Sequence, residues 1–188
     1  MTAVESNIAT NVVPNDIGFI TLSTRKLKLT LEYFNEVLGL PLVALEWTDE
    51  EKKSAVATLK MSDSSLLMIN YSEQNPNDIE YGLTHAGDPA GKCASGTMQH
   101  LAFNVDTLDE LLQVRSRIRS KNVFCVGPLD HGFVHSIYFS GPEGMMLEVA
   151  AFSGENLDMW VDSKVVSSID ITDRELYKLT NGRLGCSG

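Results

Sequence analysis

Apolar and polar positions alternate in the same phase in two stretches, Phe19–Leu27 and His100–Leu108, whose first residues lie 81 positions apart. In the second, Leu101, Phe103 and Val105 alternate with His100, Ala102 and Asn104, the period expected of a strand with one face on a core. The first places Ile20 and Leu22 on the core face and Phe19, Thr21 and Ser23 on the other. Each strand gives way to helical spacing. Leu27, Leu31, Phe34 and Leu38 fall on one helix face, and Gly39 followed by Pro41 supplies a stop. Thr107-Leu-Asp-Glu110 fits a capping box, and the helix after it turns Leu108, Leu111, Leu112 and Ile118 toward the core. Further strand-like runs follow, at Leu42–Glu46, Ser54–Lys60 and Ser64–Tyr71 in the first half and at Val123–Val126, Ser136–Ser140 and Met145–Phe152 in the second. Both halves read strand, helix, three strands.

The last strands also correspond, with Leu67-Met-Ile69 lying about where Leu147-Glu-Val149 lies. Between the halves, residues 72–97 are rich in Asn, Gly, Pro and Asp and too long for a tight turn, which predicts a linker or a mobile flap. Beyond Phe152 the pattern is less regular, with a short helix expected at Thr172–Leu176 behind a second capping box. The tail reads as an arm seated by Met159, Trp160 and Val165, with a lid over a cavity as the alternative. The expectation is an α+β domain over residues 14–152, with modules 14–71 and 98–152, linker 72–97 and a C-terminal arm 153–188.

Composition narrows the function classes. The chain has 188 residues, 43% hydrophobic and 21% charged, the make-up of a soluble globular domain, and lacks the apolar run a membrane span needs. No secretory signal is visible at Met1–Glu5, so a cytoplasmic location is expected. Cys93, Cys125 and Cys186 form no Cys-x-x-Cys pair and read as reduced thiols. A net charge of -10 without a basic stripe argues against a nucleic-acid partner.

Three stretches carry a family resemblance: Leu27–Leu40 ending Tyr33-Phe-Asn-Glu-Val-Leu-Gly-Leu-Pro41; His100-Leu-Ala-Phe-Asn-Val-Asp106; and Gly127-Pro-Leu-Asp-His-Gly132 through Ser136-Ile-Tyr-Phe-Ser-Gly-Pro-Glu-Gly144 to Leu147-Glu148. Over residues 16–152 the chain resembles the vicinal oxygen chelate superfamily of glyoxalases, bleomycin-resistance proteins and extradiol dioxygenases. The resemblance implies two βαβββ modules curled into a cupped mixed sheet with helices outside. Phe19, Thr21, Met68, His100, Ala102, Tyr138 and Glu148 would line the cup, and a homodimer would be the expected assembly.

The resemblance also implies a divalent metal, iron, manganese, zinc or nickel, with His100 and Glu148 as the surviving ligands. Their counterparts in the repeat are Phe19 and Met68, a phenyl ring without a lone pair and a thioether that prefers soft metals. A water, His131 or a side chain of a second chain is left to complete the set; without one, His100 and Glu148 are a hydrogen-bonded pair in a metal-free cavity. His131 is a candidate acid or base, or else a turn residue before Gly132. Tyr138, phased into the cup, is a candidate partner for a substrate oxygen. His135 is phased toward the helices or the rim, and His85 falls in the linker, where a solvated ring is expected. Phe19, Thr21, Met68 and Ala102 would contact substrate, with Phe19 and Met68 making the first-half wall apolar and suited to an aromatic or alkyl ligand. Two functions from different classes follow: a metal-assisted dioxygenase or glyoxalase-like lyase, with His131 and Tyr138 catalytic, and a metal-free binding protein that sequesters a small aromatic molecule.

Overall fold

The computed structural model describes residues 16–153 and 161–181. Residues 17–155 form one compact unit built as the repeat foretells. Its first half runs β1 (Phe19–Thr24), α1 (Leu27–Leu38), β2 (Leu42–Trp47), β3 (Ser54–Lys60) and β4 (Leu66–Ser72); its second runs β5 (Leu101–Val105), α2 (Leu108–Ser120), β6 (Cys125–Asp130), β7 (Val134–Ser140) and β8 (Met146–Phe152). Each half is a four-stranded mixed sheet, ordered β1-β4-β3-β2 and β5-β8-β7-β6. The first strand of each half lies parallel to the last, with Thr21 opposite Met68 and Ala102 opposite Glu148, so the repeat extends to register.

Helix ends follow local chemistry. Gly39 closes α1 at φ 79°, a left-handed conformation a side chain would strain, and its N–H donates to Asn35 O at 2.9 Å. Thr107 Oγ1 accepts from Glu110 N at 3.2 Å and Glu110 Oε2 accepts from Thr107 N at 3.1 Å, the expected capping box. Phe34, Leu59, Leu67 and Ile69 from the first half and Leu111, Ile118, Ile137 and Leu147 from the second are fully buried in one core. Phe34 meets Phe103 edge to face across the halves, ring centres 6.5 Å apart. Leu108 is a correction: expected to face the core, it is 41% exposed, because as the first residue of α2 it lies at the helix end, beyond the stretch from Leu111 to Ile118 that the core covers.

Side chains fasten the halves together. Arg117 on α2 donates to the carbonyls of Val37 and Leu38, the last residues of α1. Tyr33 donates to Ser140 O at 2.6 Å, and burial pushes its hydroxyl well above the ordinary tyrosine range, the nearby Cys125 adding to the effect. At the Pro142–Gly144 turn, Glu143 accepts from Thr24 Oγ1 at 2.5 Å and from Arg25 N at 3.2 Å.

The tail holds α3 (Ser163–Ser168), capped by Asp162, and α4 (Asp173–Asn181), where Glu175 Oε2 accepts from Thr172 N as its capping box requires. Of the side chains expected to seat an arm, Met159 and Trp160 lie outside the described residues and Val165 is 53% exposed. Cys93 and Cys125 are free thiols, and Cys186 lies outside the described residues. No described helix is long and apolar enough to cross a membrane.

Candidate functional site

β8 is buried on both faces up to Ala151, so the carboxylate of Glu148 enters the interior of the second sheet and needs polar partners there. His100, the residue before β5, supplies one: its Nε2 lies 2.8 Å from Glu148 Oε2. Tyr138 pairs directly with Glu148 across the β7–β8 ladder, and its ring meets that of His100 edge to face, centres 6.0 Å apart. Burial first, and then the charge of Glu148, raise the Tyr138 hydroxyl above the ordinary tyrosine range. His131, exposed in the turn between β6 and β7, holds Nε2 3.4 Å from the Tyr138 hydroxyl. The Tyr138 hydroxyl thus lies between a buried carboxylate and a solvent-facing imidazole, groups able to exchange a proton with it.

The structure brings His100, Glu148, Tyr138 and His131 into one group. Phe19, Thr21 and Met68 occupy the corresponding face of the other sheet; Phe19 is 60% exposed, Thr21 is exposed and Met68 half-buried. Ala102 is exposed beside Glu148. His135 is half-buried and turns to Asp130 at 3.8 Å, away from the group. His85 corrects the expectation of a solvated ring: it is half-buried, bonds Thr84 through Nδ1, and borders a cavity of about 300 Å3. That cavity lies under the linker and is also lined by Leu22, Thr24, Asn75, Glu143 and His100; of the candidate residues only His100 borders it.

Two polar residues of this region escape a sequence reading. Ser136, two positions before Tyr138 and therefore on the same face of β7, is fully buried; its Oγ lies close enough to Tyr138 to favour the phenolate slightly, yet has no hydrogen-bond partner of ordinary geometry. The period of two in β7 carries that signal. Gln99 sits beside His100 with its amide Nε2 turned to the linker carbonyls of Asp88, Pro89 and Gly91 and its Oε1 against His100 Nδ1. Nothing in strand periodicity marks it.

The model of the Glyoxalase/Bleomycin resistance protein/Dioxygenase superfamily matches residues 16–149. The chain belongs to this superfamily. Biphenyl-2,3-diol 1,2-dioxygenase 2 of Rhodococcus globerulus is 31% identical over 84 residues, 45% of this chain and 44% of that protein, so the match spans less than half of the relative's length. Among solved structures, a glyoxylase/bleomycin resistance protein/dioxygenase domain from Frankia sp. EAN1pec superposes with a TM-score of 0.61 at 13% identity, covering 74% of this chain and 99% of that one. TnmS3, an antibiotic binding protein from Streptomyces sp. CB03234, superposes with a TM-score of 0.53 at 13% identity, covering 76% and 99%. These likenesses in structure establish the fold.

Members of the superfamily often use divalent metals. Two side chains here have donors that such a site would use. His100 Nε2 and Glu148 Oε2 are spaced like two adjacent ligands of one metal ion, but among the described residues no third His, Cys, Asp or Glu joins them. The matching positions of the first half hold Phe19 and Met68, so the donor set does not by itself fit a resident metal.

Proposed function

We propose that this superfamily member binds a small aromatic molecule carrying a hydroxyl or carbonyl oxygen, without a metal held by its own side chains alone. The single observation behind this reading is the division of labour between the two sheets. Glu148, His100, Tyr138 and His131 are assembled on one, while Phe19 and Met68 occupy the equivalent positions on the other. The apolar positions would take the ring face and the polar group its oxygen, with Tyr138 bonding the oxygen and His131 exchanging the proton with solvent. TnmS3, which shares the fold, is named as an antibiotic binding protein. The test is titration of the chain with biphenyl-2,3-diol in excess chelator, followed by calorimetry. Saturable binding that survives the chelator supports the reading, and binding that appears only after a divalent metal is added overturns it.

The 2.8 Å spacing of His100 and Glu148, together with the dioxygenase named for the Rhodococcus relative, favours a second reading. In it the pair ligates iron or manganese and the remaining positions are filled by water, by His131 or by the substrate's own vicinal oxygens, giving a dioxygenase or lyase. Appearance of a ring-cleavage product after reconstitution with either metal distinguishes it.

In the same reading residues 14–152 are the ligand-binding domain and 153–188 an arm, and the chain works as a homodimer. The support for pairing is β2, an edge strand whose Leu45 and Trp47 are both about half exposed, an apolar edge that monomers rarely leave bare. Sedimentation at micromolar concentration tests it; a monomer only would contradict it.

A further inference from the structure

β8 sorts its side chains by face. Leu147, Val149 and Ala151 enter the core, which leaves Glu148, Ala150 and Phe152 on the other side. The antiparallel pairing with β7 sets Tyr138 opposite Glu148, Ser136 opposite Ala150 and Val134 opposite Phe152. Along this face the polar group is followed first by two short side chains and then by an aromatic ring. Phe152 stacks with Phe133, ring centres 6.5 Å apart and planes 29° from parallel. Both rings are 48% exposed, whereas Glu148, Ala150, Ser136 and Val134 are buried. The backbone of Phe133 is fastened, its carbonyl accepting from Ser153 N at 3.0 Å and from Ser153 Oγ at 3.1 Å. His131 belongs to the same turn, so one short segment sets an imidazole by Tyr138 and a phenyl ring by Phe152.

The module fold does not require this aromatic pair. In the first half the registers put Ser72 where Phe152 stands, with Ser54 opposite it instead of Val134. Two stacked rings left half bare, at the end of a face that begins with hydrogen-bonding groups, suit the far end of a ligand. We infer that Phe133 and Phe152 form a distal aromatic subsite that selects elongated ligands, about three fused rings in line, whose oxygen sits at Tyr138 and whose last ring lies on the two phenyl groups. The length follows from strand geometry, since the four residues from Glu148 to Phe152 span roughly 13 Å, more than one or two fused rings bridge. Ala150 and Ser136 keep the middle of the face low enough for the body of such a molecule. The inference rests on the reading that Tyr138 bonds the ligand's oxygen.

The experiment titrates the full chain, in excess chelator, with 2-naphthol, 2-anthrol and anthracene, each followed by its own fluorescence. 2-Anthrol is expected to bind about tenfold or more tighter than 2-naphthol. Phe152→Ala and Phe133→Ala are expected to bring that ratio near one, and Phe152→Tyr, which keeps the ring, to preserve it. Both phenylalanines are half exposed, so their truncation leaves no buried void and the variants should fold. Equal affinity of the wild type for the two alcohols overturns the subsite; so does a ratio that both alanine variants leave unmoved, or one that Phe152→Tyr abolishes. Two outcomes separate the subsite from the function it rests on. Anthracene bound as tightly as 2-anthrol, and weakened by Phe152→Ala, removes the oxygen-binding role of Tyr138 and leaves the subsite. 2-Naphthol and 2-anthrol bound equally, and both weakened by Tyr138→Phe, remove the subsite and leave the function. No binding of any of the three overturns both.

Discussion

Glu148 Oε2 and His100 Nε2 lie 2.8 Å apart although one comes from the last strand of its module and the other from the residue before the first. The parallel β5–β8 pairing makes this possible, because it sets Ala102 opposite Glu148 and leaves the ring of His100, two residues earlier, to reach along the same face. Glu148→Gln keeps the shape and removes the charge. A hydrogen bond to a charged group contributes about 1.5–3 kcal/mol, so affinity for biphenyl-2,3-diol is expected to fall about tenfold or more. Calorimetry of wild type and variant measures it; equal affinities would place Glu148 outside the ligand's reach.

Tyr33 and Tyr138 make a prediction in pH. Burial raises both hydroxyls, so each resists ionisation when folded and ionises at its ordinary value when unfolded. The sign follows: their contribution is fully present below about pH 10, the unfolded value, and is lost as pH climbs toward the folded values, so stability declines on the alkaline side. An ultraviolet titration of the five tyrosines is expected to show late-ionising hydroxyls that disappear one by one in Tyr33→Phe and Tyr138→Phe. Denaturant midpoints of Tyr138→Phe should fall less steeply above about pH 10 than those of the wild type.

Arg117 tests the joint between modules. Its Nε donates to Val37 O at 2.9 Å and its Nη2 to Leu38 O at 2.8 Å, two of the carbonyls an α-helix leaves without partners at its C-terminus. Because the guanidinium is also exposed to water, Arg117→Ala is expected to cost about 1 kcal/mol, read as a lowered unfolding midpoint. Arg117→Lys should not restore it, since an ammonium cannot span both carbonyls with a planar fork.

The parts of this molecule that sequence discloses are those governed by short-range periodicity. The alternation of Leu101, Phe103 and Val105, the Gly39 stop and the Thr107–Glu110 box each depend on neighbours within a few positions, and each appears where expected. Glu148 and His100 are legible because the repeat supplies a register, and the phase of β7 puts Tyr138 on their face. The Gln99 amide is not legible, because its orientation comes from carbonyls 8 to 11 positions back in a segment without regular structure. The cavity under the linker is hidden for the same reason: residues 72–97 read as a loop, and only folding shows Asn75 bonded to Thr24 O and His85 turned inward.

Phe19→His asks whether the missing half of a metal site can be put back. The repeat sets Phe19 where His100 stands, and the β1–β4 and β5–β8 registers agree with that alignment, so the prediction is that an imidazole at position 19 converges with His100 and Glu148. Phe19 is 60% exposed, so the exchange leaves no buried void and stability should change little. With that added imidazole beside His100 and Glu148, the chain would own two nitrogens and one carboxylate, a set suited to iron or manganese with positions left open. Affinity of Phe19→His for Mn(II), measured by competition with a coloured chelator, is expected to rise about tenfold or more over wild type, and His100→Ala or Glu148→Gln placed on top should abolish the gain. Biphenyl-2,3-diol binding in chelator should weaken at the same time, since an imidazole at that position interrupts the apolar wall. A variant that folds normally but binds Mn(II) no better than wild type would show that position 19 does not converge with His100 and Glu148, and would remove Phe19 from the site.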